Sequence, residues 1–385
     1  MNTLKRQLDI GPNSILRYRQ HQYDLIPYII RLSFNYLRRL GLKFDPANYR
    51  EEVIESDYYH TANHFAKTDY KVRILPIDKQ KEPFLHIAIP KLIDKQFYEL
   101  NGALYVPGFY INDLPLAVKK RSILCYGLFN SLTLYAEDSR VIFLGHNIPI
   151  GRFLNIFLNE QEVALACSEQ FLDCSNINEK RDVSIRYMAN LLKLAVPDLE
   201  LIKARINDIF FDEWTLNLYK EYYNLDFINM DILIRNLLFT AILDKDNRSF
   251  IDLHYKRLIF IEYILSPFLR SVAATSKFII NNQDIYRLNI TSGDIIKNFF
   301  VKLDKFNYYN VVNGFSGLLD LKATFKIPNA GDNLPISVSS IHSSYRDKID
   351  VISISNTKPG QVINLTPNQN LRSLTFGIFD FENEK

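Results

Sequence analysis

Residues 97–106 read Phe-Tyr-Glu-Leu-Asn-Gly-Ala-Leu-Tyr-Val: two β-prone runs, Phe97–Leu100 and Ala103–Val106, joined by Asn101-Gly102. Asn-Gly is a strong two-residue hairpin signal, because both turn positions need positive φ. On the N-terminal side, 71–75 and 84–89 continue a β-rich pattern that runs from Tyr70 to Val118. On the C-terminal side, Leu132–Tyr135 and 141–144 flank Glu137-Asp138-Ser139-Arg140 and predict a second hairpin. Before the β-rich stretch, 24–40 carries helix-spaced apolar residues, an early Pro27, Arg38 and Arg39 in the last turn, and Gly41 as its C-cap. Beyond it, 153–158, 181–195, 200–211, 226–243 and 254–280 show a 3.6-residue apolar period and predict a helical middle over about 150–283. From about 306 the chain returns to loops and short strands, with turn sequences at 328–333 and 357–360. No repeat of solenoid period interrupts this order. The β–α–β sequence of patterns predicts an α+β fold with the helical block inserted into a mixed domain.

The chain has 385 residues, 47% hydrophobic, 13% aromatic and 23% charged, which excludes dominant disorder. At roughly 150 residues per domain, two or three domains are expected. Lys+Arg 46 against Asp+Glu 43 is close to balance, so any nucleic-acid-facing surface must be local. Cys125, Cys167 and Cys174 are too scattered for a disulfide framework. The opening residues lack the apolar core of a secretory signal. Asp231, Arg235, Glu262, Pro267 and Arg270 interrupt the longest apolar stretches, so a soluble chain in a reducing compartment is expected. Ile, Asn, Lys, Tyr and Phe are in excess over Ala and Gly, the usage of an AT-rich genome.

Chemistry-bearing motifs are sparse. His60 and His64 have the i, i+4 spacing of a helical metal pair, but the metalloprotease Glu and a third ligand are missing. Asp244 to Asp252 has a calcium-loop outline spoiled by Arg248 at the fifth position and by Ser249 where Gly is required. Cys167 and Cys174 lack zinc-ligand spacing. Phosphate loops, nucleophile elbows and dinucleotide fingerprints are all absent. Asp380 and Glu382 alone are too few for two-metal phosphoryl chemistry. The remaining signal is local basicity: Lys322, Lys326, Arg346, Lys348, Lys358 and Arg372 run through a Gly/Ser/Asn-rich tail. They form either a solvated loop or a nucleic-acid-facing surface.

Five segments, in order, resemble the N-terminal half of the β subunit of multisubunit DNA-dependent RNA polymerases. Residues 93–106 resemble the family's Phe-x-x-Asn-Gly-x-Glu-Arg-Val hairpin, with Leu104 and Tyr105 in place of Glu-Arg. Residues 135–157 resemble its strand, Arg, Pro and apolar-helix passage through Arg140, Pro149, Phe153 and Leu154. Asp252-Leu-His-Tyr-Lys-Arg-Leu258 with Glu262 is similar to Asp-His-Leu-Gly-Asn-Arg-Arg opening a helix, without the Gly-Asn. Residues 299–322 align without a gap with the fork-region segment. Residues 341–349 and Thr357-Lys-Pro-Gly360 resemble His-Pro-Thr-His-Tyr-Gly-Arg and Thr-Pro-Glu-Gly.

A β subunit split between chains, with drifted motifs and AT-rich coding, resembles the RNA polymerases of giant (jumbo) bacteriophages. The resemblance implies a protrusion-like domain over 1–125, a mainly helical lobe-like insertion over 126–254, a protrusion-like return with the start of the fork over 255–335, and a fork-like tail over 336–385. It implies a DNA-directed RNA polymerase subunit that is not catalytic alone, with no cofactor of its own and with magnesium on a β′-like partner chain. Further implied partners are a β C-terminal-like chain, a promoter-specificity subunit, template DNA and the RNA–DNA hybrid, in the cytoplasm of an infected host. Lys322, Lys326, Arg346 and Lys348 become the nucleic-acid-contacting candidates. Asn310, Asp320 and Phe325 fall where the family's rifampicin pocket lies and replace an Asp, a His and a Ser there, implying insensitivity to the drug. A non-catalytic phage structural or adaptor protein is the alternative reading. A stand-alone nucleotidyltransferase is disfavoured for want of a carboxylate pair.

Overall fold

The computed structural model describes residues 14–42, strand segments between 49 and 106, and 108–119, 122–135, 138–163, 181–238 and 252–281. Strand pieces at 307–308 and 322–325 and residues 341–350, 362–366 and 369–381 complete it. Helix and sheet are mixed, as an α+β reading expects.

Two helices open the described chain, α1 (Ile15–Asp24) and α2 (Ile26–Leu40). Pro27 stands in the first turn of α2, where its missing N–H costs no bond, and Gly41 ends the helix at φ 110°. The first sheet has eight strands: β1 (Tyr49–Glu55), β2 (Tyr58–His60), β3 (Phe65–Pro76), β4 (Leu85–Pro90), β5 (Leu92–Ile93), β6 (Phe97–Leu100), β7 (Ala103–Val106) and β15 (Asn307–Tyr308). β6 and β7 pair antiparallel with Leu100 opposite Ala103, which leaves only Asn101 and Gly102 between them. Those two residues lie outside the described ones. His60 closes β2 opposite Phe65, so it lies on a strand and not on the helix that the i, i+4 spacing supposed. His64 lies outside the described residues.

The second sheet is a five-stranded meander of β9 (Leu116–Lys119), β10 (Ser122–Cys125), β11 (Leu132–Tyr135), β12 (Arg140–Phe143) and β13 (His146–Pro149). Along β10, β11 and β12 buried residues alternate with part-exposed ones, the period of a sheet covered on one face. The β11–β12 hairpin is the predicted one, with Ser139 at φ 45° in its turn. The boundary expected at 125/126 falls just after β10, inside this meander. Helices α3 (Ile150–Phe157), α4 (Arg181–Leu191), α5 (Leu199–Phe210), α6 (Glu213–Tyr223) and α7 (Met230–Ile232) follow, and a π-helical stretch, Leu233–Leu238, extends α7. Asp198, Asp212 and Asn229 cap α5, α6 and α7 by accepting backbone N–H bonds.

The third sheet joins distant parts of the chain. Its order is β17 (Val362–Asn364), β16 (Lys322–Phe325), β8 (Phe109–Asp113), β14 (Lys256–Ile259), β19 (Ile378–Phe379) and β18 (Leu371–Ser373). Here the continuous helix expected over 254–280 is corrected. A 3₁₀ turn, Leu253–Tyr255, leads into β14, and only then come α8 (Ile261–Ile264) and α9 (Ser266–Ile280). All four residues of β14 are buried. The strand reads Lys-Arg-Leu-Ile, so two charged and two apolar residues stand side by side with no period of two, and in sequence they merge with the helical pattern after them. One contiguous apolar core runs from Ile15 through the meander and helices to Phe379.

Candidate nucleic-acid interface

The segment 252–262 is anchored by charge buried in the core. Arg257 donates to both carboxylate oxygens of Glu262, Nη1 to Oε1 at 2.8 Å and Nη2 to Oε2 at 2.7 Å. Trp214 Nε1 donates to Oε1 at 3.1 Å, and Tyr126 OH donates to Oε2. The Arg257 guanidinium lies 5.1 Å from the Tyr126 ring centroid. Burial pushes the Glu262 carboxyl up, but the Arg257 charge and the bonds from Arg257, Tyr126 and Trp214 outweigh it and hold the pKa below the carboxylate range. Beside this pair, Lys256 is buried and bonded to Asp113 of β8. Both basic residues of the segment are thereby committed to the interior, and the turn just before them reaches the surface.

That surface is built from two short turns. Asp252 accepts from the backbone N–H of His254 at 3.0 Å and faces the His254 ring nitrogen Nδ1 at 2.8 Å. Burial raises the Asp252 pKa, while the bonds from His254 and the positive fields of His254 and His342 lower it further, with a net downward shift. The second turn, Ser343–Tyr345, follows His342. Leu253 N–H donates to Ser344 Oγ at 2.9 Å, and His342 Nδ1 stands 3.8 Å from Asp252 Oδ1. These contacts seat the tail turn on the 252–255 turn. Ser344, His342 and Asp252 have the composition of a nucleophilic relay, but not its geometry. Such a relay needs opposite ring nitrogens to face Ser and carboxylate. Here Nδ1 faces Asp252 and also lies 2.9 Å from Ser344 Oγ, and Ser344 is buried.

Of the four nucleic-acid candidates, Arg346 and Lys348 sit on this surface. The Arg346 side chain is 85% exposed, with Asp347 at 3.8 Å. Lys348 Nζ lies 5.1 Å from the Phe381 ring centroid, and the His254 ring stacks on the same phenyl at 4.0 Å. Lys322 starts β16 opposite Asn364, whose carbonyl accepts from Asp350 N–H at 2.8 Å, so its backbone adjoins the same turn. Phe325 ends β16, paired with Ile111 of β8. Lys326, Asn310 and Asp320 lie outside the described residues. Asp347 contacts Arg346, Asp350 follows Lys348 by two residues and Asp380 precedes Phe381, so the described part of the basic stripe carries both signs. Arg372, also in that stripe, donates instead to the carbonyls of Glu221 and Tyr222 at the end of α6.

A one-signed stretch of helix surface lies elsewhere, on α2 and α9. Neither helix contains an Asp or Glu, and Arg31, Arg38, Arg39, Arg270 and Lys277 are exposed on them. Sequence patterning used Arg38 and Arg39 only as a stop signal; the absence of acid from both helices was the informative feature. Among the described residues no group of three or more His, Cys, Asp or Glu is arranged to hold a metal ion, and no helix is long and apolar enough to cross a membrane. No family model and no curated protein matches the chain.

Proposed function

We propose that the chain is the N-terminal part of a split β-like subunit of a phage DNA-directed RNA polymerase, acting in the cytoplasm of the infected host. In this reading 1–125 and 255–335 form a protrusion-like body, 126–254 a lobe-like insertion and 336–385 a fork-like tail. The chain lines part of the DNA and RNA–DNA hybrid channel, and a β′-like partner supplies the catalytic magnesium. The observation that carries the reading is the seating of 342–345 on 252–255 through Ser344, Leu253, Asp252 and His342. These are two of the five segments that resemble the family, about ninety residues apart in sequence, and they meet in space. The pairing of β8 with β14 also suits a chain that leaves the first domain, builds an insertion and returns.

The mixed charge around Arg346 and Lys348 favours one second reading, a non-catalytic phage adaptor whose tail contacts protein. A photo-reactive residue at position 346, in the complex reconstituted with its polymerase chains and stalled on a template, separates the two. The polymerase reading expects cross-links to DNA or RNA. Cross-links to protein alone would favour the adaptor.

A further inference from the structure

We infer that the exposed face of α2 and α9 is a docking surface for an acidic, amphipathic segment of a partner protein chain. It shares no residue with the two turns on which the polymerase reading rests. On α2 the exposed stripe is Pro27, Arg31, Asn35, Arg38 and Arg39; on α9 it is Arg270, Ala274, Lys277 and Phe278. The helices pack on each other, and Gly41 after α2 lies against Ile279 of α9, so their C-terminal turns end side by side. Arg38 lies three residues before that contact on α2 and Lys277 two residues before it on α9. Lys277 Nζ reaches toward Gly145 of the β12–β13 turn, and Phe278 next to it in sequence is 50% exposed.

Ordinary helix chemistry accounts for part of this charge. Cations in a last turn answer the helix dipole, which covers Arg38, Arg39 and Lys277. Arg39 also donates to the carbonyls of Asp208 and Phe211 and contacts the Asp208 carboxylate at 3.8 Å. Arg31 and Arg270 lie outside the last turns, so the dipole does not account for them, and Arg270 Nε donates to the Ser266 carbonyl. A solvated face intersperses both signs, and here thirty helical residues contain no acid. Arg31, Arg38 and Lys277 have no ionic partner among the described residues. Carboxylates on the adjoining elements are Asp24 in α1, Asp208 in α5 beside Arg39, and Asp212 and Glu213 at the start of α6, of which Glu213 bonds Tyr28 of α2.

The choice of occupant rests on Phe278. A phosphate backbone complements the cations but leaves a half-exposed phenyl ring in water. An acidic segment with an apolar residue covers both. Arginines around an aromatic anchor are also the composition favoured at protein interfaces, where lysine is depleted.

The full chain titrated with a fluorescein-labelled Glu/Leu amphipathic peptide, and separately with a duplex DNA, tests this. The peptide should bind, weaken with added salt as exposed charge is screened, and lose roughly tenfold affinity or more in Arg31→Glu/Arg38→Glu/Lys277→Glu and in Phe278→Ser. Intrinsic fluorescence of Trp214 checks that each variant is folded. Duplex binding that exceeds peptide binding and ignores Phe278→Ser would replace the protein partner by nucleic acid and overturn the inference. Peptide affinity unchanged in both variants would overturn it as well. Either failure leaves the cross-linking result at position 346 intact.

Discussion

Replacing Glu262 by Gln would leave the Arg257 guanidinium buried without a counter-ion, and breaking such a pair from one side costs about 3–5 kcal/mol. Trp214 is the only tryptophan in the chain and touches the same carboxylate, so its fluorescence during urea unfolding reads the loss directly. Arg257→Met/Glu262→Leu together should recover much of it, because no uncompensated charge remains. The pH dependence separates two buried acids. The Glu262 pKa is lowered, so its contribution is present above the ordinary carboxylate range and is lost as pH falls through the lowered value. Asp212 behaves oppositely. Burial pushes its pKa up to about 6 against bonds from Thr215 and the charge of Arg39, so stability is lost as pH rises from 3.8 to about 6. Asp212→Asn retains an oxygen to cap α6 and should abolish that decline, measured as urea midpoints across the same pH window. A midpoint profile identical to wild type would show that Asp212 does not titrate there.

At the scale of elements, two glycines predict different penalties for the same substitution. Gly377, at φ 65°, would place a Cβ 2.2 Å from the Leu258 carbonyl oxygen and 2.7 Å from Tyr18 OH, so Gly377→Ala must shift backbone where α1, β14 and the β18–β19 turn meet. A loss above about 3 kcal/mol is expected. Gly41, at φ 110°, has its nearest neighbour at 3.9 Å, and Gly41→Ala should cost only backbone strain of about 1–2 kcal/mol. Equal losses in chemical denaturation would refute the distinction. The elements legible in sequence were those whose signal is local: α2 with its Pro27 and Gly41, and the β6–β7 and β11–β12 pairs with their turns. β14 was hidden because its Lys-Arg-Leu-Ile run has no alternation, and Lys256 and Arg257 read as surface charge until their partners Asp113 and Glu262 are brought in from other elements. α6 also went unread, although Asp212 before Glu213 is an N-cap signal. Its aromatic Trp214, Tyr219, Tyr222 and Tyr223 blurred the helical period. At the candidate site, the motifs at 252 and 341 were legible, and their contact was not, since no local pattern encodes the meeting of two 3₁₀ turns.

For the whole molecule, the third sheet is the element of organisation: it collects strands from residues 109 to 379, so helical block and tail are tied to one frame. Charge acts at this scale too. If the proposed polymerase reading holds, charge reversal at Arg346 or Lys348 should weaken DNA engagement by the reconstituted complex and flatten its salt dependence, with little change in promoter choice, since phosphate contacts carry no base information. Salt profiles matching wild type in both variants would assign these residues to solvated loop charge. The central claim is membership of a multichain polymerase, and reconstitution with one chain omitted addresses it most directly. The chain should co-purify in stoichiometric amount with the β-continuation-like and β′-like chains of its own genome. The full set should make RNA from a DNA template with magnesium, and neither the set lacking this chain nor this chain alone should do so. Elution of the chain by itself, with full RNA synthesis by the remaining chains, would contradict the account.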